Sequence, residues 1–172
     1  MLLAPSDLPS PGWKILSEDT WLTGSKGSDI DSDVLARARA LRSFTAWRSF
    51  LSSARGGLWT SVMPFATLDD AKRAVPQISV EANPRFSGTI LERRSVSDQV
   101  VPGVDSLRVT EDITQHEDGL SISRYFCGNV ERVALILGCS KRGDEWDWQE
   151  SLEFVSLQAD KISRAASHSA QR

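Results

Sequence analysis

The chain has 172 residues, 40% of them hydrophobic and 25% charged, a mixture typical of globular domains that excludes a disordered or fibrous protein. That length suits a single domain over 1–172, able to bury roughly 68–70% of the surface its unfolded chain exposes without disulfide or metal staples. A net charge of −3 and a pI near 5.4 provide no basic footprint for a phosphate backbone, which excludes nucleic acid as a partner, and no apolar run is long enough to span a membrane.

Residues 1–12 form an extended lead punctuated by Pro5, Pro9 and Pro11. They contain no positive n-region and too short an apolar run for a signal peptide. As written, the sequence reads as cytoplasmic; a leader removed before Met1 would make it extracytoplasmic. From Trp13 to Trp21 the alternation predicts a strand with Trp13, Ile15 and Trp21 on one face. After the loop around Gly24 and Gly27, Asp31 and Asp33 supply the N-cap and first-turn negative charge of a short helix, whose apolar stripe is Val34, Leu35, Ala38 and Leu41. The β-rich runs 44–51 and 58–65 read as a hairpin with a glycine-adapted loop. Thr67 and Asp70 cap a second helix that ends near Pro76, where proline removes a donor, and 79–85 reads as loop.

Two further strands, 88–96 and 106–114, flank a turn at Pro102-Gly103. Glu117, Asp118 and Gly119 turn the chain into a strand over 120–127, and Gly128-Asn129 reads as the next two-residue turn, into 130–139. Val133, Leu135, Leu137 and Cys139 fill one face of that last strand while Ala134 and Ile136 fill the other, the mark of a central strand covered on both sides. With this turn, Cys139 stands about 30 Å from Cys127 at roughly 3.3 Å per residue, too far for a bridge, so both read as small buried hydrophobes. Asp147 and Glu150 then open a helix over 147–166 with the stripe Trp148, Leu152, Val155, Ala159, Ile162 and Ala166, followed by a frayed tail, 167–172. The order β-α-β-β-α-β-β-β-β-α, dominated by hairpins, predicts an α+β fold: a mainly antiparallel sheet of about seven strands flanked by three helices, not a doubly wound parallel sheet.

The opening Leu-Ala-Pro-Ser-Asp-Leu-Pro-x-x-Gly-Trp at residues 3–13, Thr45-Ala-Trp-Arg-Ser-Phe50 and the strand-to-helix unit from Val62 to Ala71 resemble a family of uncharacterised actinobacterial proteins. So do Val133 to Leu137, Trp146-Asp-Trp148 and Gln158-Ala-Asp-Lys-Ile162. More distantly, the chain is similar to exported sensor-domain proteins and lipoproteins of mycobacteria, including the extracellular sensor region of a Ser/Thr kinase, and to PsbP-like sheets. This resemblance implies an antiparallel sheet flanked by helices, with a cleft for a ligand or partner. The chain differs from the kinase sensors in having two cysteines where they use paired disulfides, and in showing no export signal.

Of the two histidines, His168 falls in the tail and His116 precedes a turn, where it reads as solvated. There is no Gly-x-Ser-x-Gly elbow and no phosphate loop. The acidic pairs fall at turns and helix starts, where carboxylates answer the helix dipole. No catalytic residue and no metal or cofactor ligand emerges. Arg124 and Glu131, diagonal across the expected hairpin, read as a structural ion pair. Six tryptophans are the surplus, and Trp47, Arg48 and Trp59 are the candidate lining of a ligand pocket. The expectation is a non-catalytic, sensor-like module for an unknown small molecule or protein. The alternatives are an enzyme with a dispersed carboxylate and arginine site in a cleft beside the sheet, and a homodimer paired through the strand over 13–21.

Overall fold

Alternation that is apolar on both sides puts one strand at the centre, and β7 (Val133–Arg142) is the middle member of a seven-stranded antiparallel sheet. The computed structural model describes residues 1–25, 29–53, 56–78, 88–142 and 147–170. On one side of β7 lie β3 (Gly56–Pro64), β2 (Phe44–Ser52) and the edge strand β1 (Lys14–Leu22); on the other lie β6 (Gly119–Val130), β5 (Asp105–His116) and the edge strand β4 (Thr89–Val96). Together with α1 (Ser32–Ala40), α2 (Leu68–Ala74) and α3 (Trp148–Ala170), this is the expected α+β fold. No helix is long and apolar enough to cross a membrane.

Each face of the sheet has its own core. The long helix α3 packs Phe154, Val155, Ala159 and Ile162 onto Phe50, Leu58, Leu135, Leu137 and Phe126. Its buried side also carries Ser151 and Gln158, so it is turned toward Phe154 relative to the expected stripe, and it continues to Ala170. The lead is part of this core: Leu3, Leu8 and Trp13 are buried in it, with the Trp13 ring edge-on to Phe154 at 5.9 Å. On the opposite face, α1 and α2 pack Val34, Leu35, Ala38, Ala71 and Ala74 over Cys127, Ala134 and Ile136. Thr67 caps α2 by accepting from the Asp70 amide at 3.1 Å, as its position before the acidic turn predicts.

Three expectations are corrected by register. The β6–β7 turn is Glu131-Arg132, with Glu131 at φ 50° and Val130 opposite Val133. Gly128 serves another need: a Cβ there would stand 2.6 Å from a Val104 methyl and 3.1 Å from the Asp105 carbonyl, so glycine permits close approach to the neighbouring chain. Cys127 is consequently opposite Ile136 and Cys139 opposite Arg124, three rungs apart, or about 10 Å at roughly 3.3 Å per residue. The cysteines face different cores and are free and buried, so the absence of a bridge rests on facing rather than on the expected distance.

The second correction is a bulge between Ile15 and Ser17 in β1. It leaves Trp13 and Ile15 on the α3 side but sends Trp21 to the side of Thr45, the α1/α2 face. The third concerns Arg124, whose partner is Glu111 rather than Glu131: Nε donates to Oε2 at 2.8 Å, and both side chains are buried. The loop expected over 79–85 and Trp146 lie outside the described residues.

Candidate functional site

The α1/α2 face is covered unevenly. Helices α1 and α2 sit over Ala134 and Ile136, and among the described residues no helix covers the same face of β7 from Gly138 to Arg142. Two adjoining hollows occupy this open half, one of about 270 Å³ and one of about 650 Å³. They share Leu16, Leu51, Gly57 and Ser140 as lining residues, so they form one cleft between β1 and the centre of the sheet.

The floor of the smaller hollow follows from one glycine. Trp59 is opposite Gly138, which is opposite Tyr125. A Cβ on Gly138 would overlap the Trp59 indole, meeting Cε2 at 2.5 Å, so only glycine lets the indole lie across β7. Tyr125 flanks it with ring centroids 6.4 Å apart. The phenol hydrogen-bonds to Ser123 and is pushed up to about 12, chiefly by burial. Ser123 in turn donates to the Ser140 hydroxyl at 2.8 Å. The hollow is thus an aromatic surface bordered by a row of hydroxyls, a combination suited to a flat ligand with polar edges.

The larger hollow has a different character. Lys14, His116, Lys141 and Arg142 line it together with Ser121 and Ser140. His116 is not a solvated turn residue: β5 runs through it, it pairs with Gly119, and its Nε2 lies 2.7 Å from the Ser121 hydroxyl with both side chains buried. The register that makes the β5–β6 turn as short as Glu117-Asp118 carries the ring onto the sheet face instead of into solvent. Arg142 pairs with Asp118 at the mouth. Among the described residues, no group of three or more His, Cys, Asp or Glu is gathered so as to hold a metal ion.

The three residues singled out from sequence are divided by the pleat. Trp59 is in the site. Trp47 shares its face but sits two rungs further toward the α1/α2 end, opposite Ser61, and is not among the residues lining the two hollows. Arg48 points to the α3 face, where Nε donates to Glu18 at 2.9 Å and Nη1 to the Leu3 carbonyl at 2.7 Å, fixing the lead. Lys14, Tyr125, His116 and Arg142 carry no local sequence signal; only strand register unites them.

Other charged groups close on each other. Arg93 forms a bidentate pair with buried Asp112 at 2.7 and 2.8 Å, and Arg94 donates to Glu111 at 2.7 Å. Burial pushes the Cys127 thiol up to about 12 and the Cys139 thiol to about 11, so neither has the thiolate character of a nucleophile. Comparison with known proteins returns no match: no family model, no curated protein and no solved structure aligns significantly with this chain.

Proposed function

We propose that the chain is a non-catalytic binding module that holds a small molecule in the cleft over the open half of the α1/α2 face. The observation that carries this reading is the pairing of an aromatic floor, Trp59 and Tyr125 over Gly138, with a continuous concavity of ligand size. The carboxylates that an enzyme would need as acid or base, Asp112 and Glu111, are engaged with arginines, which favours binding over chemistry. A helix-flanked antiparallel sheet bearing a cleft is also what the sensor-domain resemblance implies.

The test is a metabolite panel read by tryptophan emission and thermal shift on the intact chain. A hit that shifts both, and whose emission change disappears in Trp59→Phe, supports the reading. Silence across a broad panel sinks it.

A second reading, an enzyme working in the same cleft, draws on the His116–Ser121 hydrogen bond at its wall, since a hydroxyl within reach of an imidazole is how serine nucleophiles are activated. A serine-directed fluorophosphonate probe decides it. Covalent labelling at Ser121 that is lost in His116→Gln supports the enzyme; an unlabelled protein rejects it.

A further inference from the structure

The cleft is asymmetric in charge, and the asymmetry narrows its ligand. Lys14, Lys141 and Arg142 line the larger hollow beside His116, and no Asp or Glu stands among its described lining residues, in a chain whose net charge is −3. Register produces this concentration. Lys14 is opposite Leu51, Leu51 opposite Gly57 and Gly57 opposite Ser140, so Lys14 and Ser140 share a rung. Arg142 lies two residues past Ser140 on the same face of β7 and is opposite Ser121, which brings in His116, whereas Lys141, opposite Ile122, stands on the alternate face of the strand.

Asp118 offsets part of the Arg142 charge from outside the lining, at a half-exposed position, and Lys141 also interacts within the chain. The excess is therefore smaller than the count of cations, yet its sign is the reverse of the molecule's. A concave, partly apolar wall holds field lines in and raises the local concentration of the opposite charge. The hydroxyls of Ser121 and Ser140 add donors at the same wall. The smaller hollow, floored by Trp59 and Tyr125, is apolar and carries no charged lining residue among those described.

From this polarity we infer that the ligand is a small aromatic anion, with its ring against Trp59 and Tyr125 and its carboxylate or phosphate group between Lys14 and Arg142, beside the Ser121 and Ser140 hydroxyls. This rests on the binding reading above and assigns its chemical class. A neutral aromatic of the same shape forfeits the charge-assisted contacts, which corresponds to about tenfold or more in affinity.

The experiment compares naphthoate, naphthyl phosphate and naphthol by calorimetry on the intact chain and on Lys14→Met/Arg142→Met. The expected result is that at least one anion binds about tenfold or more tightly than naphthol, weakens with added salt, and loses its advantage in the double variant. Tighter binding of the phosphate identifies a phosphate ester as the natural class, and tighter binding of naphthoate a carboxylate. Naphthol binding as well as both anions overturns the anionic assignment while leaving the binding module standing. No binding by any of the three also overturns it, whereas the broader reading falls only when the wider metabolite panel is silent as well.

Discussion

The guanidinium of Arg124 lies 3.8 Å from the ring centre of Trp148, sandwiched between the first turn of α3 and the sheet. It donates from Nε to Glu111 at 2.8 Å and from Nη1 to the Ser151 hydroxyl at 3.2 Å, with no exposed surface. The start of α3 is therefore held to β6 by charge as well as by apolar packing.

The two ends of that ion pair are not equivalent, and replacing them separately shows it. Glu111 has a second partner in Arg94, whereas its removal takes the Nε acceptor from the fully buried Arg124. Breaking a buried pair by deleting one member costs about 3–5 kcal/mol. Glu111→Leu is expected at that level, with Arg124→Met nearer 1–3 kcal/mol because Glu111 keeps Arg94. Urea denaturation of both variants and the double variant checks this; an equal or reversed order contradicts it.

The contrast between β7 and Arg124 shows what the sequence makes legible. Leu135, Ala134, Leu137 and Ile136 declare a two-faced central strand because their environment is encoded in their own alternation. Arg124 reads as a hairpin ion pair with Glu131 because nothing near it reveals that Glu111 and Trp148 of α3 will enclose it. Gly128-Asn129 has turn chemistry, but the close approach of Val104 uses that glycine instead, and the turn slips to Glu131-Arg132. The site was readable only at Trp59. Its floor depends on Gly138, and its cations on β1 and β7 meeting across β2 and β3, relationships that belong to pairing rather than to any segment.

Gly138 is expected to be intolerant of even one methyl. Its φ is not in the left-handed region, and the nearest obstacle to Gly138→Ala is the Trp59 indole. Overpacking of this kind costs about 1–3 kcal/mol. In Trp59→Ala the obstacle is gone, and adding Gly138→Ala should then cost little. A double-mutant cycle by thermal or urea unfolding measures the coupling; additive effects would show that the indole does not lie against Gly138.

Alkaline pH should destabilise the fold before any backbone chemistry intervenes. Burial raises Cys139 to about 11 and both Cys127 and Tyr125 to about 12, against about 8.5 for cysteine and about 10 for tyrosine in an unfolded chain. Raised native values mean that the unfolded state loses its protons first. The contribution of these groups is full below about pH 8 and is lost progressively as pH rises toward about 12. Urea midpoints across that range should fall, with a shallower fall in Tyr125→Phe above about pH 10. Identical slopes for the variant and the parent would show that the phenol is not protected from ionisation.

Gln158 offers the sharpest separation of local from global stability. Fully buried on α3, its Oε1 accepts from the Leu3 amide at 3.2 Å and from the Thr60 hydroxyl at 2.9 Å, while Nε2 donates to the Met1 carbonyl at 2.8 Å. One side chain thus joins the lead, β3 and α3. Gln158→Leu preserves the volume approximately but leaves the Leu3 amide and Thr60 hydroxyl without their acceptor, at about 1–3 kcal/mol for each buried group left unsatisfied. The lead also depends on Arg48 at the Leu3 carbonyl and on Lys161 at Asp7, so it should loosen by degrees while the sheet stays folded. Amide exchange is the measurement: in Gln158→Leu, Leu3 and Leu8 should exchange faster while Leu135 and Leu137 in β7 keep most of their protection. Parallel acceleration at both places would mean that the lead and the sheet open as one unit, and the three-way junction at Gln158 would then be a support of the whole fold rather than a clasp on its first residues.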